Sequence, residues 1–245
     1  MINIVARRIA KRLLPPGVRT RLEHRLLQRR ADALRETLSQ LESIEDRVDY
    51  ALRNTPLRSN QKRAEIVALL RELQTLNPSR LCEIGADRGG TLALFASVAA
   101  PDAEILSIDI RYPSSRAAVY QTLARPGQKV TCLESDSHSP VTANRVRKWL
   151  NGGLLDFLFI DGDHSLLGVS ADFTMYSELV RPGGVIAFHD IVPDYFSRYG
   201  RRTGSDVGEV PKFWEGLKIG KANWKEFIED PGQDGYGIGV IQKSA

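Results

Sequence analysis

The run Arg80-Leu81-Cys82-Glu83-Ile84-Gly85-Ala86-Asp87-Arg88-Gly89-Gly90-Thr91 decides how the rest of the chain is read. Five residues with an apolar centre predict a short buried strand, and the glycines at 85, 89 and 90 predict a tight turn into a helix starting at Thr91. The same rhythm continues downstream. Apolar runs at 80–84, 104–110, 129–133, 155–160 and 184–189 alternate with helix-like segments at 91–99, 114–123, 139–150 and 165–179. Strands that are apolar throughout, with a helix between each pair, predict an α/β fold: a doubly wound, mostly parallel sheet covered by helices on both faces. Two later strands, 224–228 and 236–241, flank the Asp230-Pro231-Gly232 turn and predict an antiparallel hairpin at the sheet edge, making seven strands.

Ahead of Pro78 the pattern is helical. Leu22, Leu26, Leu27, Leu34, Leu38 and Leu41 recur at helical spacing, and a further helix is predicted from Gln61 to Leu76. Two regions follow: a basic helical arm over 1–60 and the sheet domain over 61–245. The net charge of +4 conceals their difference. Residues 1–35 carry ten Lys/Arg against Glu23 and Asp32, whereas residues 81–245 carry 17 basic and 21 acidic side chains.

Residues 1–14 mix Ile2, Ile4, Val5, Ile9, Leu13 and Leu14 with Arg7, Arg8, Lys11 and Arg12, the composition of an interfacial helix. Peripheral contact with an anionic inner membrane surface is one expectation. The other is a solvated basic helix packed on its own protein or on a second copy, so that the chain forms a homo-oligomer. Nucleic acid is disfavoured, because no aromatic residue precedes Tyr50 to stack on bases. No run approaches the ~20 apolar residues of a transmembrane helix, and the charges at 7–12 interrupt any signal-peptide core. Cys82 and Cys132 are too few for a disulfide framework. A cytoplasmic protein is expected.

Ligands of such sheets bind at the carboxyl ends of the strands, and here those ends are polar. The glycine turn after the first strand lets the backbone approach a ligand, but Ala86-Asp87 displace the second glycine of the G-x-G-x-x-G dinucleotide pattern. Asp109 ends the second strand, 24 residues after Gly85, where a carboxylate accepts ribose hydroxyls. Glu134-Ser135-Asp136-Ser137 end the third, a cluster suited to an adenine edge or to a solvated loop. The fourth ends Ile160-Asp161-Gly162-Asp163-His164 and the fifth Phe188-His189-Asp190. Asp161 and Asp190 with a nitrogen from His189 suit a divalent ion such as Mg²⁺, Mn²⁺ or Fe²⁺. An electrostatic site without an ion is the alternative. Asp163, placed before Ser165, also suits a helix cap.

These stretches, with Arg181-Pro182-Gly183-Gly184 and the segment Val207-Gly208-Glu209-Val210-Pro211-Lys212-Phe213-Trp214, resemble the class I S-adenosylmethionine-dependent methyltransferases over residues 61–241. The chain is similar to the branch with cephalosporin-hydroxylase-like proteins and the macrolide and aminocoumarin sugar O-methyltransferases. The resemblance implies a Rossmann-like seven-stranded methyltransferase domain over 61–245, with the helical segment as an N-terminal extension. It also implies S-adenosylmethionine as cofactor. Gly85, Gly89 and Thr91 would surround its methionine part, Asp109 its ribose, and Asp136 and Ser137 its adenine; Glu83 and Asp161 complete that set. Asp161, His189 and Asp190 fall on the metal positions of metal-dependent relatives, with His189 in place of an oxygen ligand. His164 falls where relatives place a general base, with Asp163 as its rival. The implied reaction is O-methylation of a sugar, glycan or other small-molecule hydroxyl, assisted by Mg²⁺ or Mn²⁺. A non-catalytic scaffold on the same fold and an NAD(P)-dependent oxidoreductase are the competing classes. Residues 191–210 mix aromatics, charges and glycines as active-site lids do.

Overall fold

The computed structural model describes residues 15–54, 56–112, 116–220 and 223–244. Its strands are β1 (Arg80–Ile84), β2 (Glu104–Asp109), β3 (Lys129–Glu134), β4 (Leu155–Ile160), β5 (Val180–His189), β6 (Trp224–Phe227) and β7 (Ile238–Gln242). They form one sheet in the order β3-β2-β1-β4-β5-β7-β6. β1 to β5 pair in parallel, and β7 is antiparallel to both β5 and β6. This is the doubly wound sheet with an edge hairpin that the sequence predicts. The strand order reverses between β1 and β4, which opens the ligand crevice at their carboxyl ends. The pairing of Ile84 with Ile160 sets Gly85 beside Asp161.

β5 starts four residues before the predicted strand. The register slips between the Leu155–Val180 and Phe157–Val185 pairs, so Arg181–Gly184 bulge out of the ladder. Arg181 Nε donates to Asp156 Oδ1 at 2.6 Å and pins the bulge to β4.

The helices are α1 (Pro16–Gln40), α2 (Ile44–Arg53), α3 (Arg63–Leu76), α4 (Gly90–Val98), α5 (Arg116–Tyr120), α6 (Pro140–Leu150), α7 (Leu166–Tyr176), α8 (Tyr195–Tyr199) and α9 (Val210–Lys218). Alternate strand residues face opposite sides, and the core divides accordingly. Leu81, Ile105, Phe157, Phe159 and Ala187 pack with residues of α1 to α5. Cys82, Leu106, Leu158, Ile186 and Phe188 pack with residues of α6, α7 and α9. Removing each large apolar side chain from water stabilises the fold by about 1.5–3 kcal/mol.

The second half of α1 belongs to this packing. Ala31, Leu34 and Leu38 are buried, and Thr122 accepts from Gln28 Nε2 and from the Arg35 guanidinium, both at 2.7 Å. Ile44, Val48 and Ala51 of α2 join the same core. The interfacial helix expected over residues 1–14 lies outside the described residues, as does the start of the helix expected at Ser114.

One buried carboxylate ties α3 to the end of the chain. Glu65 Oε1 accepts from Gln233 Nε2 at 2.7 Å and from the Glu229 N–H at 3.2 Å, and its Oε2 accepts from the Gly237 N–H at 2.8 Å. That holds the turn before β7 over the carboxyl end of the sheet, where Tyr236 donates its N–H to Asp190 Oδ1 at 3.1 Å.

Candidate functional site

The crevice widens into a cavity of ≈ 730 Å³ over the carboxyl ends of the parallel strands, within the size range of small-molecule sites. Of the residues predicted from sequence, Gly85, Thr91, Asp109, Asp136, Ser137, Asp161, Asp163, His164, His189 and Asp190 all line it. Glu83 and Gly89 do not: they stand behind the wall.

The glycine turn is held from three sides. Gly85 takes φ +89, and its N–H donates to Ile108 O at 2.9 Å. Asp109 Oδ2 accepts the Ala86 N–H at 2.9 Å, and its Oδ1 accepts the Arg111 N–H at 2.9 Å, which leaves each oxygen a further lone pair. Gly89 takes φ +80, and a Cβ there would lie 2.9 Å from the Tyr120 ring, whose hydroxyl donates to Asp87 O at 2.5 Å. Thr91 Oγ1 and Ser59 Oγ are hydrogen-bonded at 2.9 Å, which draws the segment before α3 onto the turn. Arg58, Asn60 and Gln61 thereby enter the cavity wall.

Glu83 is 1% exposed, and among the described residues neither carboxyl oxygen has a partner of normal hydrogen-bond geometry. Burial, then repulsion from Asp161 and Asp109, pushes its pKa well above the usual carboxylate range. Burial thus favours the protonated form of this support beneath the turn.

The ends of β4 and β5 form the charged part of the cavity. Donor atoms of Asp161, His164 and Asp190 lie within 4.8 Å of one another, the one such three-residue set among the described residues. His164 Nδ1 donates to Asp206 O at 2.6 Å, which turns Nε2 toward Asp161 Oδ1 at 3.5 Å and Asp190 Oδ2 at 3.6 Å. The loop carrying Asp206 also grips the His164 backbone: the Glu209 N–H donates to His164 O at 2.7 Å. His189 is 4% exposed, with Nδ1 3.2 Å from Asp161 Oδ1 and 3.3 Å from Asp190 Oδ2. Asp190 adopts φ +63, a left-handed conformation that stores strain in a non-glycine residue.

The groups titrate as a charged cluster. Burial raises the pKa of Asp161, but the His189 charge and bonds from His164 and His189 outweigh it and hold it at about 2. The bond to Asp161 raises His164 to about 9 against its burial, aided by the Asp190 charge. Burial lowers His189, yet the Asp161 and Asp190 charges carry it well above the usual imidazole range. Asp163 is lowered mainly by the Ser165 N–H, which it accepts at 2.8 Å. The cap of α7 is Ser165, whose Oγ accepts the Gly168 N–H at 3.0 Å, so Asp163 precedes the cap and does not form it.

Sequence reasoning missed several parts of the wall. Tyr236 comes from the turn held by Glu65, and Gly204–Asp206 from the segment read as a lid. His138 lines the cavity from the loop after β3, with Nε2 3.5 Å from Oδ1 of the fully buried Asp172. Each belongs to a long-range contact that no local pattern signals.

Residues 82–191 match a family described as a methyltransferase domain. Among solved structures, the O-methyltransferase TomG of Streptomyces achromogenes, in complex with S-adenosylmethionine, is similar over 83% of this chain and 91% of its own, at 16% identity and a TM-score of 0.54. An O-methyltransferase of Bacillus cereus, in complex with S-adenosylhomocysteine, matches 86% of this chain and 97% of its own, at 16% identity and 0.55. MycE of the mycinamycin biosynthetic pathway, in complex with Mg and S-adenosylhomocysteine, matches 84% of this chain and 54% of its own, at 18% identity and 0.51. No curated protein matches the sequence. Among the described residues no helix is long and apolar enough to cross a membrane. Residues 82–191 thus match a methyltransferase domain, and the chain shares its fold with the solved O-methyltransferases it resembles.

Proposed function

We propose that the protein is a divalent-metal-assisted O-methyltransferase acting on a hydroxyl of a sugar, glycan or other small molecule. The observation that carries this reading is the set Asp161, His164 and Asp190, converging in the same cavity as the glycine turn and Asp109. The donor chemistry fits a metal. Two carboxylates supply oxygen, and the Nδ1–H bond to Asp206 O leaves the neutral imidazole its lone pair on Nε2, facing them. The Mg recorded with MycE supports the same reading.

His164 then takes the ligand role first expected of His189, whose Nδ1 hydrogen-bonds the ligand carboxylate of Asp161 from behind. The ion would supply Lewis acidity, lowering the pKa of a coordinated hydroxyl and fixing its direction. Asp109 and the loop at Asp136 and Ser137 would hold the nucleoside end of the cofactor, and Gly85 and Thr91 its methionine end. Alignment of acceptor and methyl group in this crevice lowers the barrier by several kcal/mol. With His164 committed to the ion, Asp163 is the remaining proton acceptor on the rim. Its depressed pKa lets it take a proton only from an already acidified hydroxyl.

Calorimetric titration of S-adenosylhomocysteine and Mn²⁺, followed by methyl transfer to a panel of hydroxylated glycans with and without EDTA, tests the reading. Full transfer in excess EDTA removes the metal, and absence of cofactor binding removes the enzyme in favour of a scaffold.

A further inference from the structure

α1 carries two apolar stripes, and the domain covers only one of them. Ala31, Leu34 and Leu38 are buried against the core, whereas Val18, Leu22 and Leu26 are 50%, 39% and 44% exposed. With 3.6 residues per turn, the second stripe points roughly 110–170° away from the first. It is therefore not the fraying end of the packed face. Arg19, Arg21, Arg25 and Arg29 surround it, all exposed and without an ion pair among the described residues. Between residues 16 and 30 the sequence holds five arginines and a single acidic residue, Glu23.

That pairing of apolar stripe and unpaired cations selects the occupant. A second copy of the helix would cover the leucines only by setting arginine rows against each other, and like charges at such spacing repel. Nucleic acid would engage the arginines but leave Val18, Leu22 and Leu26 in water. An anionic bilayer satisfies both features. The stripe enters the acyl boundary while the arginine stems lie along it and deliver their charges to lipid phosphates. The composition continues upstream, where residues 1–14 contain Arg7, Arg8, Lys11 and Arg12 among isoleucines and leucines.

We propose that residues 16–30 of α1 form a docking face for an anionic lipid bilayer, with the opposite stripe of the same helix carrying the catalytic domain. This holds whatever the methyl acceptor is.

The test is co-sedimentation of the full-length protein with vesicles of phosphatidylcholine alone or with about one third phosphatidylglycerol. The doubly substituted Leu22→Ser/Leu26→Ser protein, whose charge is unchanged, is run beside it. The full-length protein should bind the anionic vesicles at least about tenfold more tightly than the neutral ones, and less tightly as salt rises. The serine variant should lose about tenfold of that affinity. Wild-type binding by the serine variant overturns the proposal, as does absence of binding to anionic vesicles. So does a dimer, seen by light scattering, that the substitutions dissolve without changing vesicle binding. Because these side chains are exposed, affinity for S-adenosylhomocysteine should be unchanged. Its loss in every form would count against the enzymatic reading and leave the docking face standing.

Discussion

A Cβ built on Gly85 would lie 1.9 Å from the carbonyl oxygen of Asp161. The glycine turn after β1 and the acidic rim after β4 thus touch backbone to backbone, with no side chain between them to absorb a change. Gly85 also sits at φ +89, where any Cβ is strained.

Gly85→Ala should therefore damage both functions at once. We expect destabilisation of at least about 2 kcal/mol in urea unfolding, together with loss of both S-adenosylhomocysteine and Mn²⁺ binding in calorimetry. A variant that keeps its affinity for either ligand would break the inferred coupling.

The proposed metal set makes a prediction that separates the two histidines. Asp190→Ala and His164→Ala should each abolish Mn²⁺ binding, because they remove a donor. His189→Ala should weaken it by about 10–100-fold, the usual loss when a supporting partner is removed. Titration of Mn²⁺ into the three variants reads this directly, and the reverse order for the histidines would return His189 to the ligand role.

Glu83 sets a pH dependence of stability. Its folded pKa is raised, so between the ordinary glutamate value of about 4.3 and the raised one the folded chain holds a proton that the unfolded chain has lost. The wild type should lose stability as pH rises through that window, and Glu83→Gln, which mimics the protonated shape, should not. Melting temperatures should coincide below about pH 4 and diverge above it in favour of Gln. A pH-independent difference would falsify this assignment.

The N-terminal helices should behave as part of the domain. Leu34 is fully buried between α1 and the core, so Leu34→Ala should destabilise the whole fold by about 2–5 kcal/mol in a single transition. A separate early transition for the helices would instead mark residues 1–60 as an independent arm.

The sheet was legible because apolar strands alternating with helices allow few topologies, and because residues ending parallel strands must meet at one rim. Asp109, Asp161, His164 and Asp190 are found that way. The side-chain directions were not legible. Both histidines approach both carboxylates, and it is the carbonyl of Asp206, 42 residues from His164, that fixes His164 with Nε2 toward them. Ser59 meets Thr91 across a helix and a strand, so the place of Arg58 and Asn60 in the cavity wall leaves no trace in local spacing. The Arg181–Gly184 bulge hid the true start of β5, since glycine and proline read as loop.

The clasp of Glu65 on Gln233 and Gly237 also ties the acidic rim to a helix outside the sheet. Tyr236, whose N–H reaches Asp190, lies in the turn that this clasp holds. A local opening that parted α3 from that turn would release the Asp190 side chain without breaking a single strand pair. The arrangement of the rim is thus lost more easily than the sheet that carries it.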